Sequence, residues 1–495
     1  MRAFYLSLLA ILAGVMPASA QSRAIQPIQR YAESLCSKGP LKGAAVGLLA
    51  VDRKGDTLVS LQPHTRLVPA SNLKLVTTGA ALHAFGPEYR LRTGIGYTGR
   101  IEADGTLKGD LWIIGGGDPT IGAKDSIALR PESLFWKWKS LARAAGIRRI
   151  EGRIVGDGRA WEGHLENPSW SYDDTGTYYG AGSEALCFYQ NATDWSVRAG
   201  AVPGDTVKAR QTYPETPWMH SRNLGVTGPA GSGNSLYLFT TDLAPYAELR
   251  GTFAVDRPAK TEHFANKYGA LTCAYYFWKN LKETGWEVTG TYAHVDRSGY
   301  ICEAGTVPVE KAGKPVVVGW SESPALREIV RETNVRSDNF YAESLFRAMG
   351  EAASGVAVYD SCRVAEQEVL LGLGLALDGI GIEDGSGLSR QNHVSPAFLV
   401  SFLQKMAGSP AFDAFVASLP HPGEGTLAPL LPNLPQRERL CFKSGSMGGT
   451  LCYSGYLMGA DGQPEVTFSI LTNNAKGRPA DVRAALARLI ALLVK

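Results

Sequence analysis

Three things are missing from this chain: a second long apolar run, a metal-type cluster and a charge bias. Beyond the first twenty residues no apolar stretch approaches the roughly 20 residues that span a bilayer, so the body of the chain is not an integral membrane protein. Fifty basic residues face 47 acidic ones, for a formal charge of +3. A balance so near neutrality argues against a nucleic-acid partner. The eight histidines are scattered, with no His-Glu-x-x-His helix and no Cys/His cluster, so neither a metal site nor a cofactor is expected. Seven cysteines is an odd number, which leaves at least one unpaired within a monomer. Cys36, Cys187, Cys273, Cys302 and Cys362 show no metal-ligand spacing. Cys441 and Cys452 flank one hairpin; a bridge between them and two small core residues are both open readings. The run from Gly117 to Lys124 approaches a phosphate loop, but Ala123 separates the second glycine from the lysine, and a turn is the better reading.

The two ends of the chain are informative. Met1-Arg2 is a short basic start, Phe4 to Val15 is apolar, and Ala18-Ser19-Ala20 is a small-residue cleavage site. Residues 1–20 therefore read as a secretory signal peptide, and the mature protein is expected in the periplasm or an equivalent extracytoplasmic space. No cysteine follows the cleavage site, so a lipid anchor is not expected. The last segment, Asp481 to Lys495, is amphipathic, with Arg483 and Arg488 opposite Leu486, Leu489, Ile490 and Leu493. A helix packed on a sheet is the preferred reading, and a membrane-surface helix is the alternative.

What the chain does have is three short words in order. The first is Ser71-Asn72-Leu73-Lys74, the second Ser337-Asp338-Asn339, the third Lys443-Ser444-Gly445. A serine hydroxyl is a weak nucleophile until a base lies beside it. Ser71 and Lys74 are three apart, so a helix running to about Phe85 and stopped by Gly86-Pro87 sets them on one face. Ser71 then sits in the first turn, where free N–H groups favour negative charge on its oxygen, and its own N–H is a candidate oxyanion donor. Lys74 must be partly neutral to take a proton; burial and a second cation, Lys443, would both lower its pKa. Ser337 and Asp338 read as helix caps for a helix from Phe340 to Met349, with Ser337 also a proton relay between the two lysines and a leaving amine. Asn339 is expected to hold Lys74 and to donate its amide to a substrate carbonyl. Lys443, Ser444 and Gly445 lie on a strand-like run, Leu440 to Gly445, that pairs with Leu451 to Met458 across a glycine turn. Lys443 and Ser444 suit a terminal carboxylate, Gly445 lets a substrate strand come close, and the N–H of Ser446 is the second oxyanion donor.

In this order the three words match the serine enzymes that acylate on penicillin and on D-alanyl-D-alanine peptides. The chain resembles the low-molecular-mass class C penicillin-binding proteins, the D-alanyl-D-alanine carboxypeptidases and endopeptidases of the penicillin-binding protein 4 type. Asp384 to Arg390 (Asp-Gly-Ser-Gly-Leu-Ser-Arg) looks like that family's loop between its second and third motifs, and Ser337 to Arg347 like its second-motif helix. Gly115 to Pro119 and Gly156 to Arg159 resemble loops of its inserted domain. Ser444 stands where many members carry threonine, and both supply a hydroxyl. The resemblance implies stem peptides ending in D-Ala-D-Ala as substrates, β-lactam antibiotics as acylating ligands, and an acyl-enzyme on Ser71. It also implies that Asp174 meets the ammonium of a diaminopimelate side chain, Tyr179 forms an apolar wall and Arg390 meets a carboxylate of that side chain. A β-lactamase uses the same words, but no Glu-x-x-Leu-Asn deacylation motif is present. A catalytically silent cell-wall-binding protein is the reading from another class.

The resemblance and the spacing together imply an α+β fold. A serine β-lactamase/penicillin-binding transpeptidase-like catalytic domain, an antiparallel sheet covered by helices, is expected over 21–92 and 310–495. The separation of Lys74 from Ser337 leaves room for a mainly-β insertion, 93–309, of one or two small domains, with about 192–255 as a third unit. Predicted elements include a helix over Gln26 to Ser37, a strand over Ala44 to Val51, and insertion helices over Pro131 to Ala145 and Thr272 to Thr284. A hairpin is expected around Asp104-Gly105.

Overall fold

The two ends of the chain meet in one sheet. In the computed structural model, which describes residues 20–303 and 310–494, five antiparallel strands run in the order Thr57–Leu61, Ala45–Asp52, Pro464–Asn473, Thr450–Met458, Leu440–Met447. The expected leader lies, but for Ala20, outside the described residues. Helices cover both faces, which is why the strand Ala45–Asp52 is apolar on both sides instead of alternating. On one face Leu48, Phe442, Phe468 and Ile470 pack with Leu486, Leu489 and Ile490 of the last helix, Pro479–Leu493, and with Leu35 of the first, Ala20–Ser37. The C-terminal amphipathic segment is thus a packed helix. On the other face Cys441, Cys452, Tyr456 and Leu471 join Leu73, Leu75 and Val76 of the helix Leu73–Phe85 and Phe402 of Pro396–Ala407. The period-two alternation of strand Leu440–Met447 sends Leu440 and Phe442 to the first core and Cys441 to the second, and Lys443 follows on the side of Cys441.

Cys441 and Cys452 are both free and buried. Cys441 pairs with Tyr456 and Cys452 with Gly445, so the two cysteines are four positions out of step along the hairpin. That is about 13 Å, well beyond disulfide reach.

Between these terminal parts lies a seven-stranded sheet, in the order 310–311, 300–303, 292–295, 154–157, 111–114, 92–97, 316–322. Its strands 310–311 and 316–322 extend past the boundary expected at residues 309/310, because Val316–Glu322 closes the sheet against Arg92–Tyr97. Helices Pro131–Ala144 and Gly269–Glu283 pack together through Phe135, Trp138 and Phe277. Residues 192–265 form three smaller sheets around Trp195, Val197, Leu249, Phe253 and Phe264, a separate core. Among the described residues no helix is long and apolar enough to cross a membrane.

A buried cation ties the middle of the chain to the helical layer. Arg347, on helix Asn339–Ser354, is 1% exposed and donates to the carbonyls of Glu162, His164, Ser183 and Ala357. Four carbonyls leave the guanidinium well satisfied, so its removal strands several acceptors at once. Arg347→Met should lower stability by about 3 kcal/mol or more, read as a shift of the urea midpoint at unchanged slope. A midpoint within about 0.5 kcal/mol of wild type would show that the tie carries no load.

Candidate active site

The helix that follows Ser71 starts with a kink. Ala70 has φ +48°, in the left-handed region that a residue with a Cβ rarely adopts, and a 3-10 turn over Ala70–Asn72 leads into the α-helix Leu73–Phe85. Two contacts hold the kink. Gly387, at φ +81°, lies so close that an added Cβ would meet the Ala70 carbonyl at 2.0 Å. The buried Asn72 amide donates to the carbonyls of Lys443 and Cys452, both at 3.2 Å, and pins the turn to the sheet. Helical spacing then delivers Lys74 Nζ to Ser71 Oγ at 3.0 Å.

Lys74 is fully buried and has two further partners. Nζ donates to Asn339 Oδ1 at 2.6 Å and to the Ser386 carbonyl at 2.7 Å. Burial pushes its pKa down to about 8, against the pull of the Asp384, Glu343 and Asp338 carboxylates. Asn339 opens its helix, which Asp338 caps by accepting from the Tyr341 N–H at 2.9 Å. Asp338 also accepts from Gln190 Nε2 at 2.7 Å, and burial pushes its pKa up to about 6. The other half of the Asn339 amide is engaged too, since Nδ2 donates to the Tyr179 carbonyl at 3.0 Å.

Ser337 lies in the joint between helices Leu326–Arg336 and Asn339–Ser354, itself at φ +60°. It is the C-cap of the first helix, and the N-cap duty falls to Asp338 alone. Its hydroxyl accepts from Lys443 Nζ at 2.9 Å. Lys443 is also fully buried, and its pKa is pushed well down, first by burial and then by the charge of Lys74. Its remaining contact is the Ser444 carbonyl at 2.8 Å. Ser337 is thus bonded to Lys443; no direct bond joins it to Lys74. Ser444, one position on, points the other way along the pleat and meets Thr426 Oγ1 at 2.7 Å. Gly445 meets a further demand besides the expected one: a Cβ there would meet the Pro69 carbonyl at 2.5 Å and the Asn72 N at 2.8 Å. The strand approaches the turn that carries Ser71. Ser446 is exposed on the same strand, which is the outer one of its sheet among the described residues.

The loop Asp384–Ser389 closes the back of the site. Asp384, fully buried, accepts from the N–H groups of Gly387 (2.8 Å) and Ser389 (2.6 Å), from Asn392 Nδ2 (2.7 Å) and from Trp170 Nε1 (2.7 Å). That carboxylate winds the loop so that the Ser386 carbonyl faces Lys74. Behind it lie two more buried acids. Glu343 accepts from the Ser386 N–H at 2.8 Å, and burial pushes both Glu343 and Glu366 up to about 8.

Asp174 and Tyr179 come together, with Tyr179 Oη donating to Asp174 Oδ1 at 3.2 Å. Half-burial and the neighbouring Asp173 raise the Asp174 pKa, opposed by Tyr179 and by the charge of Arg390. Sequence reasoning missed Asn72, Thr426 and the backbone carbonyls of Tyr179 and Ser386. Asn72 and Ser386 lie inside quoted motifs, but a carbonyl carries no residue-type signal.

A serine beside a buried amine, a second serine–lysine pair and an outer strand next to both suit a serine acyl-transfer enzyme of the penicillin-recognising type. The D-Ala-D-Ala carboxypeptidase 3 (S13) family profile matches residues 29–493, and the chain belongs to that family. It is 29% identical over 501 residues to the D-alanyl-D-alanine carboxypeptidase of Actinomadura sp. (strain R39), covering 96% of this chain and 87% of that protein. It is 23% identical over 453 residues to the D-alanyl-D-alanine carboxypeptidase DacB of Haemophilus influenzae, covering 88% of this chain and 87% of that one. The crystal structure of penicillin binding protein 4 from Haemophilus influenzae superposes with TM-score 0.77 at 21% identity, over 95% of this chain and 99% of that one, and has the same α+β fold.

The buried acids generate a stability prediction. Glu366 keeps its proton in the folded chain up to about pH 8, whereas the unfolded chain loses it near 4.5. The folded state binds more protons across that window, so this contribution is complete below about pH 4.5 and is lost as pH rises toward 8. Glu366→Gln should therefore flatten the fall in urea midpoint between these limits. A variant whose midpoint falls as steeply as wild type would contradict the burial assignment.

Proposed function

We propose that the chain is a serine-type D-alanyl-D-alanine carboxypeptidase, also acting as a D,D-endopeptidase, on stem peptides of the cell wall outside the cytoplasm. The observation that carries the reading is the three-way environment of Lys74. A neutral amine has two N–H donors and one lone pair. The Ser386 carbonyl can only accept. Asn339 must present Oδ1, because its Nδ2 is committed to the Tyr179 carbonyl. Both N–H groups are thereby used, and the lone pair is left facing the Ser71 hydroxyl at 3.0 Å. That is the geometry of a general base.

The reaction follows from this arrangement. The peptide adds as a strand along the open edge of Leu440–Met447. The Ser444 hydroxyl turns from Thr426 to donate to the terminal carboxylate, Thr426 donating to Ser444 in its place, with Lys443 beneath. Lys74 takes the Ser71 proton as Oγ attacks the penultimate carbonyl. The N–H groups of Ser71 and Ser446 stabilise the oxyanion. The proton reaches the departing D-alanine amine from Lys74, or from Ser337 with Lys443 behind it, and water then hydrolyses the acyl-enzyme. When the leaving amine belongs to a cross-bridge, the same steps are endopeptidase cleavage. β-Lactams acylate Ser71 because their strained amide and carboxylate imitate the substrate. Asp174 and Tyr179, with Arg390 nearby, would hold the stem's side chain. We assign residues 21–91 and 323–495 to the catalytic unit, 92–322 to the insertion and about 192–265 to a small unit within it, since each segment supplies its own sheet or core.

Purified protein should release D-alanine from a pentapeptide stem and split a cross-linked dimer. Ser71→Ala should lose covalent labelling by penicillin, and Lys74→Ala should acylate about 100- to 10,000-fold more slowly. Persistent labelling of Ser71→Ala would exclude the nucleophile, and rapid β-lactam turnover without D-alanine release would favour a β-lactamase. Because the base must be neutral, the acylation rate should rise through about pH 8 and level off above it, measured by stopped-flow with a chromogenic β-lactam. A rate independent of pH across that region would remove Lys74 as the base.

A further inference from the structure

Lys267 belongs to none of the three motifs. It lies between strand Lys260–Ala265 and helix Gly269–Glu283, and its side chain is 0% exposed. Its ammonium donates to the carbonyls of Thr175 (2.6 Å), Gly180 (3.1 Å) and Ala181 (3.0 Å), and it pairs with Glu166 at 2.7 Å. An enclosed ammonium is costly, and packing alone would favour an aliphatic side chain here. What the three carbonyls share is the segment 175–181. The same segment meets strand Lys260–Ala265 through the bridge Thr177–Phe264 and the bond from Ala265 N–H to the Gly176 carbonyl at 3.1 Å. In its middle is Tyr179, whose carbonyl takes the Asn339 amide.

We propose that Lys267 is a positioning residue for the Ser71–Lys74 pair: it fixes segment 175–181 so that the Tyr179 carbonyl locks the Asn339 amide in one orientation. The proposal rests on Lys74 acting as the base. An Asn339 amide without that lock is free to turn over and present Nδ2 to Lys74. Nζ would then direct its lone pair at Asn339 and an N–H at Ser71, which is the wrong arrangement for attack. Lys267 touches neither the substrate nor the reacting atoms. It acts through one backbone carbonyl.

The test uses the full chain and two variants, Lys267→Met and Glu166→Gln/Lys267→Met. The double variant removes both charges, so no carboxylate is left buried and unpaired. In the double variant the expected result is an acylation rate at least 10-fold below wild type, KM for the peptide changed less than kcat, and an acylation pH midpoint displaced from the wild-type value. Amide exchange should quicken over 176–181 and stay unchanged in the strands 440–458. Acylation at the wild-type rate in the double variant would overturn the proposal, because Lys267 would then only neutralise Glu166. Exchange that quickens throughout the catalytic sheet, or nowhere, would overturn it as well. Wild-type protein that fails to acylate would instead sink the reading of Lys74 as base, an outcome visible before either variant is made.

Discussion

The buried amine of Lys74 is the constraint around which the rest of this site is arranged. A lysine without solvent loses much of its preference for charge, and its pKa falls to about 8. That alone does not make a base. An amine is directional once its two protons are spoken for, and here one goes to the Ser386 carbonyl and one to Asn339 Oδ1. Each acceptor is in turn held from a distance: Ser386 by the four donors that Asp384 gathers, Asn339 by the Tyr179 carbonyl. The Ser71–Lys74 pair is local in sequence, but its orientation is set by segments far along the chain.

Strain and close approach sit where this arrangement needs them. Ala70 and Ser337 are both at positive φ without being glycine, the first just before Ser71 and the second itself bearing a hydroxyl of the site. Gly387 and Gly445 supply the missing volume, one against the Ala70 carbonyl and one against Pro69 and Asn72. Two distant pieces of chain therefore press on one turn. The five-stranded sheet provides the rigid support, since its third-motif strand is built from the same hairpin that Asn72 grips.

Much of this was legible in the residues themselves. Ser71 and Lys74 at helical spacing, the hairpin over 440–458 and the helix after Asp338 follow from periodicity, turn chemistry and capping. What could not be read were contacts whose chemistry belongs to the backbone. Any residue carries a carbonyl, so Tyr179 and Ser386 gave no signal for their part at Lys74. At Gly445 the residue type suits a close substrate strand, but it gives no sign that a Cβ would also meet Pro69 and Asn72. The direct bond from Lys443 to Ser337 depends on the folded joint between two helices, which local pattern does not specify. Strand Val316–Glu322, past the expected boundary, closes a sheet by pairing with a segment more than two hundred positions earlier, and pairing partners are not written in local pattern.

Direct titration of the Lys74 amine decides whether this account holds. Carbon-labelled lysine, assigned by comparison with a Lys74→Arg variant, reports the protonation of each Nζ by nuclear magnetic resonance. The account predicts that the Lys74 signal titrates near about 8, far below the ordinary 10.5. A signal that stays fully protonated until the ordinary lysine range would mean that no lone pair faces Ser71 at neutral pH, and the proposed base would be wrong.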